Sequence, residues 1–327
     1  MTINNQSDKQ MYWEIFNAID FEKIVDHPNI LIAAHFWDRE RYEAAKTCYK
    51  FMRAIDDLID NYKSEHKIIA PELTAEFESN VNNWISTVIH SSTTHSEYQD
   101  IIEAIHRFSI PAWPLEAFAK SMFYDIHHDG FATLETFIDY AGGASVAPAS
   151  IFVHLCGLTK EKNTYLPPAF DVKEVATPCA IFSYLVHIIR DFVKDHTHHL
   201  NYFPDDLIQK HKLNRDKLLE MAQNGEVNND FRAMIAELYV VAAEYQQKTK
   251  VCIEKIRPYL EPASQLSIEI IFELYVMVFE RIDIDHGTFS TAELNPTPNE
   301  IKERVKCCIE NFNLKTVGNI FDRQTSF

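Results

Sequence analysis

Apolar residues return every three or four positions along most of this chain, the period of a helix with one buried face. The pattern predicts helices over residues 8–25, 38–63, 71–90, 96–107, 113–128, 132–142, 145–156, 172–196, 204–223, 228–259, 263–285 and 297–312. It breaks at Pro28. Pro167 and Pro168 close TKEKNTYLPP (159–168), which reads as a loop. GTFSTAELNPTPNE (287–300) reads as another, with Pro296 and Pro298 set to start the last helix, and NFNLKTVGNIFDRQTSF (311–327) reads as a weakly ordered tail. No run alternates convincingly with period two, and no repeat or Pro/Gly-rich linker divides the chain. The expectation is one all-α domain over 1–327, with its core at about 25–312.

Composition strengthens that picture. Only seven glycines occur in 327 residues, well under the usual ~7%, and 46% hydrophobic content is ample for a large core. The net charge of −17, with no Lys/Arg run longer than two, argues against nucleic-acid binding, which needs a clustered basic surface. Six cysteines (Cys48, Cys156, Cys179, Cys252, Cys307, Cys308) form no CxxC pair and fall in apolar helical segments, as free buried thiols do. MTINNQSDKQ has no apolar signal segment, and no uncharged apolar run of ~18 residues appears. The expected place is therefore cytoplasmic, with no transmembrane segment; peripheral membrane contact and oligomeric state stay open.

One stretch breaks the logic of a buried helix. RAIDDLID (53–60) sets Asp56, Asp57 and Asp60 among Ile55, Leu58 and Ile59. Residues four apart on a helix stand about 6 Å apart along the axis, so Asp56 and Asp60 project side by side and repel. Alone, such a pair is as well explained by a solvated face, where it costs only ~0.5 kcal/mol. HIIRDFVKD (187–195) repeats it: Asp191 and Asp195 again lie four apart, among Ile188, Ile189, Phe192 and Val193. Two such pairs suit Mg²⁺, a hard ion that takes a few carboxylates together with phosphate oxygens and waters; Mn²⁺ is the alternative. Arg53 and Arg190 stand beside the pairs, either as ion-pair partners or as forks for a diphosphate.

YKFMRAIDDLID (49–60) resembles the first aspartate-rich motif of the squalene/phytoene synthase family, with a Tyr four before an Arg and the Arg three before DxxxD. IIRDFVKDHTHHLNYFP (188–204) is similar to the second motif, including its aromatic-x-Pro ending at Tyr202, Phe203 and Pro204. YDIHHDGFATLETFIDYAGGASVAP (124–148) resembles the family segment that joins an Asp to a Tyr fifteen residues on, here Asp125 to Tyr140. The likeness runs in order over roughly 25–285. It implies the all-α isoprenoid synthase fold, helices around a central apolar cavity capped by the two aspartate motifs. It implies a Mg²⁺-dependent prenyltransferase joining two allylic prenyl diphosphates, farnesyl or geranylgeranyl diphosphate, head to head. Asp56, Asp60, Asp191 and Asp195 are then metal ligands and Tyr140 a site residue near the carbocation.

The chain departs from the family where Gln and Asn usually stand seven and four residues before the first Asp of the second motif; here they are Tyr184 and His187. Leu200 replaces the Arg that usually precedes aromatic-x-Pro. These changes leave open a terpene cyclase or a prenyl diphosphate hydrolase on the same fold, or a non-catalytic helical binding protein. His187 is a candidate for diphosphate in place of the missing Asn, although a lone His on a helix is more often a core residue. Tyr49 is as well explained by structure as by catalysis. HTHH (196–199) reads as a polar helix end, and Phe123, Tyr124, Phe182 and Phe192 are candidates for the cavity wall. No GxGxxG follows a strand and no GxxxxGK[ST] occurs, so a reductive step with NADPH has no residue signal.

Overall fold

The computed structural model describes residues 5–23, 29–90 and 98–314. Sixteen α-helices are assigned among them: α1 (Asn5–Ala18), α2 (Asn29–Ala34), α3 (Arg39–His66), α4 (Thr74–Ile89), α5 (Gln99–Phe108), α6 (Trp113–His127), α7 (Leu134–Ala144), α8 (Val146–Gly157), α9 (Val172–Arg190), α10 (Phe192–Thr197), α11 (Asp205–Lys210), α12 (Arg215–Asn224), α13 (Asn229–Ile256), α14 (Pro262–Phe279), α15 (Thr291–Leu294) and α16 (Pro298–Asn311). The predicted all-α class is what forms.

Local chemistry sets the helix ends. Asp38 caps α3 by accepting the Arg41 N–H at 3.2 Å, and Thr297 with Glu300 builds a capping box on α16. α3 buries Ala44, Ala45, Cys48, Phe51, Met52, Ile55 and Ile59, a stripe at helical spacing. Buried Arg41 donates to Asp38, to the Leu158 carbonyl at 3.1 Å and to Glu261, tying the start of α3 to the start of α14. Below this lies the deepest layer, where α9 packs between α13 and α8, and α14 packs on α9, α2 and α16.

α9 and α14 are each long and apolar enough to cross a membrane by length and composition, but 56% and 72% of them are buried within the molecule. Core helices pass the same test.

Several boundaries differ from the periodicity reading. The predicted helix over 172–196 is interrupted at Asp191, which caps α9 with φ −92° and ψ 10°. Its side chain is committed to Arg190, and Asp is a poor helix former in any case. The 204–223 helix is two, separated by a turn with Lys212 at φ 57°. The 263–285 helix stops at Phe279, and the first stops at Ala18. Helix α2 was unexpected, as was a hairpin in the 159–168 loop, β1 (Thr159–Glu161) and β2 (Thr164–Leu166), in antiparallel register Thr159↔Leu166. Three-residue strands with no buried face give periodicity nothing to detect. The break at Pro28 and most of the expected C-terminal tail, 315–327, lie outside the described residues.

Cys48, Cys156 and Cys308 are buried as expected, whereas Cys179 and Cys252 are half-buried and Cys307 is exposed. His196 is buried, not part of a polar helix end, and its ring contacts the Phe192 carbonyl at 3.2 Å. Phe182 and Phe192 are fully buried against Phe272, Phe279, Phe203 and Phe231 and serve the core.

Candidate active site

Helix α3 carries Tyr49, Arg53, Asp56 and Asp60 at spacings of four, three and four, so one face presents all of them. Arg53 donates to Asp56 at 2.8 Å and lies 2.6 Å from Asp57. Asp60 has no hydrogen bond or ion pair among the described residues. Burial pushes the Asp56 carboxyl up to about 6 despite Arg53, and burial together with the charges of Asp56 and Asp125 lifts Asp60 well above the usual carboxylate range.

Two turns from Asp56, Lys63 is buried. Its ammonium donates to the carbonyls of Asp125 (3.2 Å) and His128 (3.0 Å) and sits 3.6 Å from the Asp125 carboxylate. Asp125 on α6 also accepts a short hydrogen bond from the Tyr140 hydroxyl on α7. Sequence reasoning passed over Lys63, although it continues the apolar stripe of Met52, Ile55 and Ile59 and so signals a buried charge.

The approach of α7 to α6 depends on Gly143. A Cβ there would stand 2.1 Å from the Ala117 carbonyl oxygen and 2.2 Å from Ser121 Oγ, whereas one at Gly142 would meet nothing within 4 Å. Ser121 donates to the Tyr140 carbonyl at 2.8 Å, fixing the same contact. The glycine pair therefore serves helix packing at its second position.

The second pair sits at the α9–α10 junction. Arg190 grips Asp191 through two bonds of 2.7 and 2.6 Å. Burial opposes ionisation of Asp191, but this fork more than offsets it and holds the carboxyl below its usual value. Asp195 has no hydrogen bond or ion pair among the described residues, and burial with the neighbouring Asp191 charge pushes it up to about 8. The break at Asp191 leaves the spacing intact, because the Asp195 N–H still donates to the Asp191 carbonyl at 2.8 Å. His187 packs edge-on against Tyr275, ring centroids 5.3 Å apart; burial, with Arg190 adding to it, pushes its imidazole down to about 3. It is neutral at physiological pH and offers a diphosphate no full charge.

Tyr124, Tyr140, Tyr184 and Tyr202 form a cluster of rings that all feel the charge of Asp125. Tyr140 lies 6.3 Å from Tyr184 and 5.5 Å from Tyr124, and Tyr184 lies 6.2 Å from Tyr202 and stacks on Phe137 at 5.1 Å. Burial keeps the Tyr202 phenol protonated, and the charges of Asp60 and of Asp195 both act on it in the same direction. One side chain thus feels both aspartate pairs, which brings the two motifs to a shared region. Tyr184, in place of the family Gln, feels Asp125, Asp56 and Asp60.

This order of motifs is that of a known family. A family model described as squalene/phytoene synthase matches residues 27–297. The chain belongs to the squalene/phytoene synthase family. Solved structures similar to it include a dehydrosqualene synthase in complex with ligand, 14% identical, covering 93% of this chain and 100% of that one with a TM-score of 0.62. Squalene synthase HpnC from Alicyclobacillus acidocaldarius is 11% identical over 86% and 96% of the two chains, TM-score 0.56. YisP from Bacillus subtilis is 14% identical over 92% and 98%, TM-score 0.58. These likenesses show the isoprenoid synthase fold. No curated protein sequence matches the chain.

One expectation needs adjustment for this member of the family. Among the described residues no three His, Cys, Asp or Glu side chains close into a ready-made metal cluster, so the four predicted aspartates stand as two pairs. A small apolar pocket of about 30 Å³ lies among Ile30, Ala45, Cys48, Tyr49, Met52 and Ile151.

The donor set still fits Mg²⁺. Asp60 and Asp195 are desolvated carboxyls without a hydrogen bond or ion pair among the described residues, a state that a divalent cation relieves, and Mg²⁺ is ordinarily held by one or two carboxylates with phosphates and waters completing its shell.

Proposed function

We propose that the chain is a Mg²⁺-dependent prenyltransferase that condenses two allylic prenyl diphosphates, of farnesyl or geranylgeranyl length, head to head with release of diphosphate. The observation that carries this reading is the pair of half-paired carboxylate motifs that both act on one tyrosine cluster through Tyr202. In each, one Asp is satisfied by an Arg and the other, Asp60 or Asp195, has no hydrogen bond or ion pair among the described residues.

Asp56, Asp60, Asp191 and Asp195 would hold the metal, which when bound neutralises diphosphate and makes it a leaving group. Arg53 and Arg190 orient Asp56 and Asp191, and the N–H groups that their ion pairs leave over among the described residues can take diphosphate oxygens. The faces of Tyr140, Tyr184 and Tyr202 line the region where an allylic cation forms and stabilise positive charge through their π systems.

Tyr140 is a protonated phenol, held so by burial and the Asp125 charge. It therefore does not act as a phenolate base. It accepts the proton lost on cyclopropane closure at its oxygen while passing its own hydroxyl proton to Asp125, and Lys63 keeps Asp125 ready to receive it.

Incubation with farnesyl and with geranylgeranyl diphosphate plus Mg²⁺, with and without NADPH, followed by mass spectrometry of the lipid products, tests this reading. A hydrocarbon skeleton with twice the substrate's carbons is expected. A prenyl alcohol or a cyclised single prenyl unit as sole product would replace coupling by hydrolysis or cyclisation.

A further inference from the structure

Arg215 is the first residue of α12, the end at which the helix dipole favours an anion over a cation. α12 itself therefore does not account for it. Its guanidinium reaches two carboxylates on separate segments. Nε and Nη2 form a fork on Asp205, the first residue of α11, at 3.1 and 2.9 Å, and Nη1 donates to Asp129 in the α6–α7 loop at 2.8 Å. The other oxygen of Asp129 accepts from the Asn201 side chain at 2.8 Å. These three charged side chains are 32–34% exposed. A single ion pair that wet stabilises little, but a fork shared between two carboxylates is the exception that holds its geometry.

Around this cation the two segments close on each other. The N–H groups of Asp205 and Asp206 donate to the carbonyls of Phe131 and Ala132 at 2.8 and 3.1 Å. Gly130 has φ +102°, and a Cβ there would stand 2.8 Å from Arg215 Nη2 and 2.9 Å from the Asn201 carbonyl oxygen. The Gly130 carbonyl accepts from the Tyr124 hydroxyl at 3.0 Å. Residues 129–132 and 201–206 thus form a short zipper, with Arg215 bridging its two sides.

One side of the zipper delivers Phe131 to the tyrosine cluster. Its ring is buried, parallel to Tyr124 at 5.4 Å, 4.8 Å from Tyr140 and 6.4 Å from Tyr202. The other side delivers Tyr202, next to Asn201. The rings assigned above to the allylic cation therefore depend for their mutual placement on two connecting segments that Arg215 ties together.

We propose that Arg215 is a positioning residue: it clasps the α6–α7 loop to the segment entering α11, seats Phe131 among Tyr124, Tyr140 and Tyr202, and so keeps water from the allylic cation. The cation rests on the function proposed above; the clasp does not. Water that reaches the cation adds to it through a new C–O bond, releases a proton and leaves a prenyl alcohol in place of the coupled product.

The test compares the intact protein with Arg215→Met, Arg215→Lys and, as control, Arg304→Met, each melted to check folding. Arg304 also bridges two carboxylates, Glu273 and Glu280, but between α16 and the end of α14. Hydrogen–deuterium exchange is read by mass spectrometry on peptides covering 129–134 and 201–206. Arg215→Met should speed exchange there about tenfold or more, the worth of one hydrogen bond to a charged group. Arg215→Lys keeps the charge without the fork and should speed it less. With farnesyl diphosphate and Mg²⁺, the same two variants should move product from coupled hydrocarbon toward prenyl alcohol in the same order. Arg304→Met should lower the melting temperature and leave both readouts unchanged. Unchanged exchange in both segments overturns the clasp, and faster exchange with an unchanged product ratio overturns the shielding of the cation. An intact protein that yields no coupled hydrocarbon counts against the proposed function, and exchange then decides the clasp by itself.

Discussion

The hydroxyl of Tyr140 on α7 is hydrogen-bonded to the carboxylate of Asp125 on α6, and the same carboxylate lies 3.6 Å from the buried ammonium of Lys63 on α3. Three helices are thus locked by one buried charge, beside the aspartate pair of α3. Replacing Tyr140 by Phe removes the donor and keeps the ring. Turnover should fall by ~10²–10⁴ through loss of proton transfer, and urea denaturation should show a loss of about 1.5–3 kcal/mol. Unchanged product formation would remove Tyr140 from the chemistry.

Lys63→Met addresses the same cluster from its other side. It leaves Asp125 buried without its cation, which costs ~3–5 kcal/mol. Lys63→Met combined with Asp125→Asn should recover much of that stability without recovering activity, as read by denaturation and by product yield.

The protonation of Asp56 and Asp195 sets a pH dependence. Their folded values, about 6 and about 8, stand above that of an ordinary aspartate carboxyl. Each therefore adds stability that is fully present below about pH 4 and lost as pH rises through its folded value. Asp191, shifted the other way, loses its contribution only on acidification. The metal-free protein should show a falling melting temperature between about pH 5 and 8, and Mg²⁺ with diphosphate should reverse the fall. Because protons compete with metal for these carboxyls, activity at fixed Mg²⁺ should rise over that range, and more Mg²⁺ should move the rise to lower pH. A melting profile that climbs steadily to pH 8 without metal would contradict the burial of these carboxyls.

The two glycines of α7 separate packing from propensity. Gly143→Ala drives a methyl into the Ala117 carbonyl and Ser121, and should cost ~1–3 kcal/mol or more. Gly142→Ala enters open space in a helix and should be neutral or stabilise by ~0.5–1 kcal/mol. Thermal melts of the two variants compare them directly; equal shifts would refute the close approach of α6 and α7.

Asp60→Asn and Asp195→Asn keep size and remove charge. Each should lower kcat/KM more than ~100-fold, beyond the ~10–100-fold typical of groups that only support a metal ligand. Asp57→Asn loses only its ion pair with Arg53, half-exposed on both sides, and should cost little. Steady-state kinetics against Mg²⁺ concentration checks all three.

Much of this was legible in the chain because helical periodicity and paired charges are local. The spacing of four between Asp56 and Asp60, the long helix beginning near residue 38, the all-α class and the order of the three motifs follow from neighbours within a turn or two. The break at Asp191 was not legible, since it turns on whether a side chain bonds its own neighbour Arg190 or leaves the backbone to continue. The role of Gly143 was half visible: small residues announce a close approach, but not that Ala117 and Ser121 are what approaches.

By itself, then, the sequence determined which residues carry charge, on which helices, and at what spacing. Tertiary structure alone decided which charges meet. Lys63 and Asp125 are 62 residues apart, and Asp60 and Asp195 act together on Tyr202. Periodicity assigns each residue to a face, but the partner facing it is fixed by how helices distant in the chain pack. Burial there, not residue type, drives the carboxyls of Asp60 and Asp195 toward a cation.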